Sequence, residues 1–257
     1  MKSRIFFFDV DDTLMDSETG RVPESAYDAL AGLQKNGNKI CIASGRKLIH
    51  PDNPKIYDDL VWDGYVCNAG QLVYNREREC IYDLPYPEEI VRKCLDVVEE
   101  NHLNILIHEK NRSYIVNDNL EDAYIANRFF NMDMPPIKQY DGGSVYGMVL
   151  YMPKNYDLSI FDKILDITLY PGKSNFADVV YGDADKYKGI LKILEYYHES
   201  SYIAFGDSNN DEEMMKHAEV SICLGQGTDN IKTMSSYVTD SVNNNGIWNA
   251  CRMYGWI

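Results

Sequence analysis

Asp9, Asp11 and Asp12 close an apolar run, Ile5-Phe6-Phe7-Phe8. Such a run ending on acids reads as a buried strand that delivers carboxylates to a loop at the edge of a sheet. Two later apolar stretches end in the same manner. Ile40–Ala43 runs into Ser44-Gly45-Arg46, and Ile203–Phe205 runs into Gly206-Asp207-Ser208-Asn209-Asn210-Asp211. A fourth contribution comes from Asp185-Lys186-Tyr187-Lys188-Gly189, at the start of a helical pattern. Ligands of parallel sheets bind outside the carboxyl ends of the strands. Convergence of the four stretches would bring Asp9, Asp11, Ser44, Lys188, Asp207 and Asp211 into one crevice.

The chemistry of that set is coherent. Clustered carboxylates cannot all stay ionised without a compensating cation, and an all-oxygen site suits Mg²⁺. A metal together with Lys188 would neutralise a phosphoryl group. The Ser44 hydroxyl and loop N–H groups would donate to its oxygens. One carboxylate can then attack phosphorus. The other, two residues along, can protonate the leaving oxygen and later deprotonate water.

Asp9-Val10-Asp11-Asp12-Thr13-Leu14, Ser44-Gly45-Arg46, Lys188-Gly189 opening a helix and the Gly206–Asp211 stretch resemble the four motifs of the haloacid dehalogenase superfamily. The chain is most similar to its Cof-type phosphatases with a type IIB cap. The likeness extends to Asn243-Asn244-Asn245-Gly246-Ile247 near the C-terminus, where the family usually carries an acidic-Gly-Val/Ile version. The resemblance implies a phosphatase of small phosphorylated metabolites, sugar phosphates first, that works through an aspartyl-phosphate. It makes Asp9 the nucleophile and Asp11 the general acid/base. Ser44, Gly45 and Lys188 become ligands of the phosphoryl group, and Asn210 a contact on the substrate side. Asp9, the Asp11 carbonyl and Asp207 become Mg²⁺ ligands, with Asp211 a further ligand or support. Two departures stand out. Asn68-Ala69-Gly70 replaces the usual N-G-A, and Pro51 and Pro54 interrupt the helix expected after Ser44-Gly45-Arg46.

The surrounding pattern supplies the elements to hold these residues. Strand-like runs alternate with helical ones up to about Gln71 and again after Asp183, as in a Rossmann-like, doubly wound parallel sheet. Between them the rhythm changes to helix–strand–strand, twice, with one helix and one strand between. The division expected is a discontinuous core, residues 1–78 and 182–257, and an inserted α+β cap, residues 79–181, that selects the substrate. Within the cap, Tyr156–Leu165 reads as a helix and the helices are expected on one face of a small antiparallel sheet. Asp183-x-Asp185, a second acidic pair, lacks a following apolar run and reads as a solvated loop.

Bulk properties narrow the function further. With 25 basic and 40 acidic residues the net charge is −15, which disfavours nucleic acid and anionic membrane as partners. No apolar stretch approaches a membrane span, and the N-terminal run is too short for a signal peptide. The six cysteines form no C-x-x-C pair, and Cys41 and Cys223, inside apolar strand-like runs, read as buried reduced thiols; the chain reads as cytoplasmic. The five histidines, His50 among them, show no metal spacing. Two alternatives share the scaffold: a phosphomutase or phosphonatase, and a phosphate-binding regulatory protein without turnover.

Overall fold

A computed structural model describes residues 3–48, 55–129, 132–182 and 185–257. His50, Pro51, Pro54 and Asp183 lie outside the described residues. The chain divides into two compact units, 1–83 with 185–257, and 84–184. The first unit begins with β1 (Ile5–Phe8), α1 (Glu24–Lys35), β2 (Lys39–Ala43), α2 (Ile56–Asp59), β3 (Gly64–Cys67), β4 (Leu72–Asn75) and β5 (Cys80–Asp83). The second holds α3 (Glu88–Glu100), β6 (Asn104–Glu109), β7 (Ser113–Val116), α4 (Glu121–Phe129), β8 (Val145–Tyr151), β9 (Ile167–Pro171) and β10 (Phe176–Tyr181). The first resumes with α5 (Lys186–Tyr197), β11 (Ile203–Gly206), α6 (Glu212–Lys216), β12 (Val220–Cys223), α7 (Asp229–Met234), β13 (Tyr237–Val238) and α8 (Gly246–Met253).

The first unit is built on one sheet of order β13-β12-β11-β1-β2-β3-β4-β5, parallel from β13 to β3. β1 is buried on both faces, which explains its continuous apolar run. Phe6 and Phe8 face one layer, where Phe6 meets Trp256 edge-on at 5.0 Å between ring centroids. Phe7 faces the other, against Tyr202 and the apolar side of α5. From β1 the chain moves to β2 and β3 on one side, while β11, β12 and β13 lie on the other. The order therefore reverses between β1 and β11, and a crevice opens at their carboxyl ends. The β4–β5 pair continues the same sheet antiparallel to β3. The expected boundary at 78/79 falls inside that hairpin, and the unit runs on to Asp83.

The second unit carries an antiparallel sheet of order β7-β6-β8-β10-β9. Two details differ from expectation. Ile105 and Ile107 of β6 pack with α3, whereas Leu106 between them packs with Ala123 and Ala126 of α4. Successive strand residues face opposite ways, so the two helices cover opposite faces. The stretch read as a helix from Tyr156 to Leu165 forms only a 3₁₀ turn, Leu158–Phe161. The Asp157 carboxylate accepts from the Ser159 N–H, and the bonds that follow, Asp162 to Ser159 and Ile164 to Phe161, span three residues rather than four. Side-chain capping of this kind competes with α-helix.

No helix among the described residues is long and apolar enough to cross a membrane. All six cysteines are free thiols, five of them buried and Cys80 exposed.

Candidate active site

Asp9 follows the last residue of β1, and its N–H donates to the Phe205 carbonyl of β11 at 3.0 Å. The strand pairing therefore aims it into the crevice beside Asp207, which follows β11. One oxygen from each of Asp9, Asp207 and Asp211 lies within 4.8 Å of the others, and all three residues are buried. Asp211 is fixed from the backbone. Its Oδ2 accepts the N–H groups of Asp207 (3.0 Å) and Ser208 (3.1 Å), the closing half of a capping box on the short turn Asn209–Asp211. Thr13 donates its hydroxyl to Asp207 Oδ1 at 3.3 Å.

The cation in this nest is Lys186. Its Nζ donates to Asp9 Oδ1 at 2.5 Å, to Asp211 Oδ1 at 2.7 Å and to Asn210 Oδ1 at 3.3 Å. The sequence pointed to Lys188 instead. The helix supplies the reason for the exchange. Asp185 caps α5 by accepting the Lys188 N–H at 2.8 Å, which makes Lys186 the first helical residue. Residues two apart on a helix point about 200° apart, so Lys186 and Lys188 cannot both face the carboxylates. Asp185, read as part of a solvated loop, is thus the cap that fixes the helix start.

The electrostatics show a shortage of positive charge. Burial, and then the Asp211 carboxylate, push the Asp207 carboxyl up to about 7. Burial likewise raises Asp9 well above the carboxylate range, against the pull of Lys186. Burial works against the Lys186 ammonium, but Asp211 and Asp9 outweigh it and its pKa is raised. One ammonium thus faces three buried carboxyls. Hard oxygen donors with surplus negative charge fit a divalent cation.

Asp11 lies apart from this cluster and is half-exposed. Arg46 clasps it with both prongs, Nε to Oδ2 at 2.9 Å and Nη2 to Oδ1 at 2.7 Å. The loop that carries Asp11 doubles back through bridges Asp11–Met15 and Asp16–Arg21, with Asp12 at φ 57°. It is fastened to the C-terminal part of the unit from two sides. Asn243 donates to Asp16, and the Gln226 side chain donates to the Asp12 carbonyl while accepting the Val242 N–H.

Ser44 is buried at the end of β2, and its hydroxyl accepts the Arg46 N–H at 3.1 Å. Gly45 is exposed with nothing within 4 Å of where a Cβ would stand. Asn210 is exposed and accepts from Lys186 and from the Ser208 hydroxyl. The crevice therefore gathers Asp9, Asn210, Asp207 and Asp211 with Lys186. Arg46 links the Ser44-Gly45 turn to Asp11. Lys186, Arg46 and Thr13 are the members that motif reading left out. Arg46 and Thr13 stand inside the quoted motifs, and the signal for Lys186 is the capping aspartate before it.

The profile of the haloacid dehalogenase-like hydrolases matches residues 6–251. The chain belongs to this family. Its relatives include YkrA of Bacillus subtilis (strain 168), named provisionally as a phosphatase, at 26% identity over 99% of both chains. Another from the same organism is the 5-amino-6-(5-phospho-D-ribitylamino)uracil phosphatase YitU, at 22% identity over 96% of this chain and 95% of that one. Among solved structures, the haloacid dehalogenase subclass IIB sugar phosphatase BT4131 superposes with a TM-score of 0.88. It is 26% identical, and the match covers 99% of this chain and 100% of that one. The haloacid dehalogenase-like protein described here is a phosphatase of that family. Phosphatases of the family generally use a divalent metal, and the buried aspartate cluster is suited to one.

Proposed function

We propose that this phosphatase hydrolyses phosphomonoesters of small metabolites, sugar phosphates above all, with Mg²⁺ and through a covalent phosphate on Asp9. The observation that carries the reading is the Lys186–Asp9 contact inside a buried acidic nest. It leaves Asp9 Oδ1 held by an ammonium and Oδ2 without a hydrogen bond among the described residues. An aspartate so oriented is a nucleophile with one oxygen reserved for positioning and the other for attack.

In the first half-reaction an Asp9 oxygen bonds to phosphorus as the P–O bond to the leaving group breaks. The Asp11 carboxyl gives its proton to the departing oxygen. In the second, the Asp11 carboxylate takes a proton from water as the water oxygen attacks phosphorus. The Asp9–phosphate bond breaks, inorganic phosphate leaves, and Asp11 is again protonated. Lys186 and the Ser44 hydroxyl donate to the phosphoryl oxygens, and the exposed Gly45–Arg46 turn offers further N–H donors. Asp9, the Asp11 carbonyl and Asp207 would hold the metal, with Asp211 orienting Lys186 and the Asp207 loop. The metal, when bound, supplies positive charge against the phosphoryl oxygens.

Two relatives support sugar phosphates as the class: one solved relative is named a sugar phosphatase, and one curated relative acts on a phospho-ribityl compound. Both names describe a phosphate on a polyhydroxylated carbon chain. The test is release of inorganic phosphate from a metabolite panel with and without Mg²⁺. Asp9→Asn should abolish it, and Asp11→Asn should lower it by about 10²–10⁴-fold. Full turnover by purified Asp9→Asn would refute the mechanism.

A further inference from the structure

The inner side of α4 is fully used. Ala123 and Ala126 are buried against Leu106, Ile115 and Tyr151, and Asn127 donates to the Tyr151 hydroxyl at 3.0 Å. Ile125 stands two residues from both Ala123 and Asn127, about 200° around the helix from each, and so faces away from the sheet. It is 44% exposed, while Tyr124 before it and Phe129 one turn beyond it are each 56% exposed. Twelve large apolar side chains are exposed among the described residues, and three of them lie on this nine-residue helix. Exposed apolar groups scattered singly are ordinary, whereas a contiguous patch marks a contact surface. The sheet edge beside the helix does not offer an alternative contact. Pro136 and Lys138 flank Ile137 there and bond to Ile115 of β7, and Pro135 and Pro136 lack the N–H groups that an added strand would need.

Charges frame the patch. Glu121 lies one turn before Ile125 and Arg128 one turn after it, on the same side of the helix. Both are exposed, and neither makes an ion pair or a side-chain hydrogen bond among the described residues. Asp122, the other acid of the first turn, is already engaged by Asn175 Nδ2 at 2.7 Å. An acid at one end, a base at the other and apolar groups between make this face complementary to itself reversed. We propose that the outer face of α4 is the contact between two copies of this chain, packed as an antiparallel helix pair. A two-fold axis between Tyr124 and Ile125 sets each of these against the other in the second copy. The same axis sets Glu121 against Arg128 of the second copy, once at each end. Nine helical residues span only about 14 Å, so the contact is small and the dimer forms at high protein concentration.

The test is sedimentation velocity on the full chain, from low micromolar to several hundred micromolar protein. The expected result is monomer at the low end and dimer at the high end. Ile125→Glu, at an exposed position, should keep Tm and remain monomeric throughout. Glu121→Arg and Arg128→Glu should each weaken association about tenfold or more, because symmetry turns two attractions into two repulsions. The variant carrying both changes restores opposite charges across the axis and should associate as the unaltered protein does. Both changes oppose the helix dipole, so the double variant has the less stable helix, and its recovery cannot come from helix stability. A chain that is monomeric at every concentration would overturn the inference, as would a dimer indifferent to Ile125→Glu. A double variant no better than the single ones would overturn the antiparallel pairing.

Discussion

At the scale of single residues the decisive exchange is Lys186 for Lys188. Both follow Asp185, and motif spacing alone does not separate them; the cap bond from Asp185 to the Lys188 N–H does. Lys186→Met would leave three buried carboxyls without their ammonium. The metal-free protein should lose about 3–5 kcal/mol, the cost of stranding a buried charge, read as a denaturant midpoint, and kcat/KM should collapse with it. Lys188→Ala should keep kcat/KM within about threefold, since a partly exposed lysine contributes little. Asp207 carries a second consequence. Unfolded aspartate ionises near 3.9, while the folded chain holds Asp207 up to about 7. Between those values the folded state binds more protons than the unfolded one, so metal-free stability should fall as pH rises from about 4 to about 7. Mg²⁺ should accordingly raise Tm more at about pH 8 than at about pH 5, and Asp207→Asn should flatten both trends in a thermal-shift series. The carboxylates Asp9, Asp207 and Asp211 were legible because each ends or follows an apolar run. Arg46 was not, because nothing in Ser44-Gly45-Arg46 says whether the guanidinium meets solvent or Asp11.

Among the elements, the turn after β3 couples the sheet to the helix that carries Lys186. Asn68 (φ 49°) and Ala69 (φ 51°) both adopt left-handed conformation, followed by Gly70 at φ 97°. A Cβ on Gly70 would stand 2.0 Å from the Asp185 carbonyl oxygen, the residue that caps α5. Gly70→Ala should therefore push the start of α5 away and lower Tm and kcat/KM together. Ala69 sits in a conformation that costs a non-glycine residue about 1 kcal/mol. Ala69→Gly, which restores glycine at the second position of this turn, should recover part of that in a denaturant titration and leave kcat unchanged. The order Asn-Ala-Gly was visible in the sequence as a departure, but its cost depends on backbone angles that composition does not reveal. The core strands were legible for the opposite reason, since burial on both faces forces uninterrupted apolar runs. In the second unit the same clue was present: Ile105-Leu106-Ile107 is apolar at every position, which calls for cover on both faces and matches α3 and α4. The 3₁₀ turn at Leu158–Phe161 escaped because its apolar spacing is compatible with helix, and a single aspartate side chain tips the balance.

For the whole molecule, the division of the chain into two units proposes a division of labour. Every residue assigned above to the chemistry lies in 1–83 or 185–257, and residues 84–184 form a unit with its own core. A phosphoryl group looks alike on every metabolite, so we propose that selection among leaving groups belongs to the second unit. Exchanging residues 84–184 for the matching segment of a relative should reorder the preferred metabolites in a kinetic panel while hydrolysis of p-nitrophenyl phosphate survives; an unchanged ranking would place selection in the first unit. The interleaved chain also has a consequence in time. Asp9 and Lys186 are 177 residues apart, and β1, made before either of its neighbours, sits in the sheet between β2 and β11. A growing chain emerges from its N-terminus at about 5–20 residues per second, so the nucleophile waits roughly ten seconds or more for its cation and its neighbouring strand. During that interval Phe6, Phe7 and Phe8 have a bare strand edge beside them, a surface that invites mispairing. The second unit, whose strands all pair within residues 104–181, can complete its own sheet before β11 exists. Birth order thus makes the insert the first part able to fold and the catalytic crevice the last, and a nascent chain halted before residue 203 is where a chaperone should be found bound.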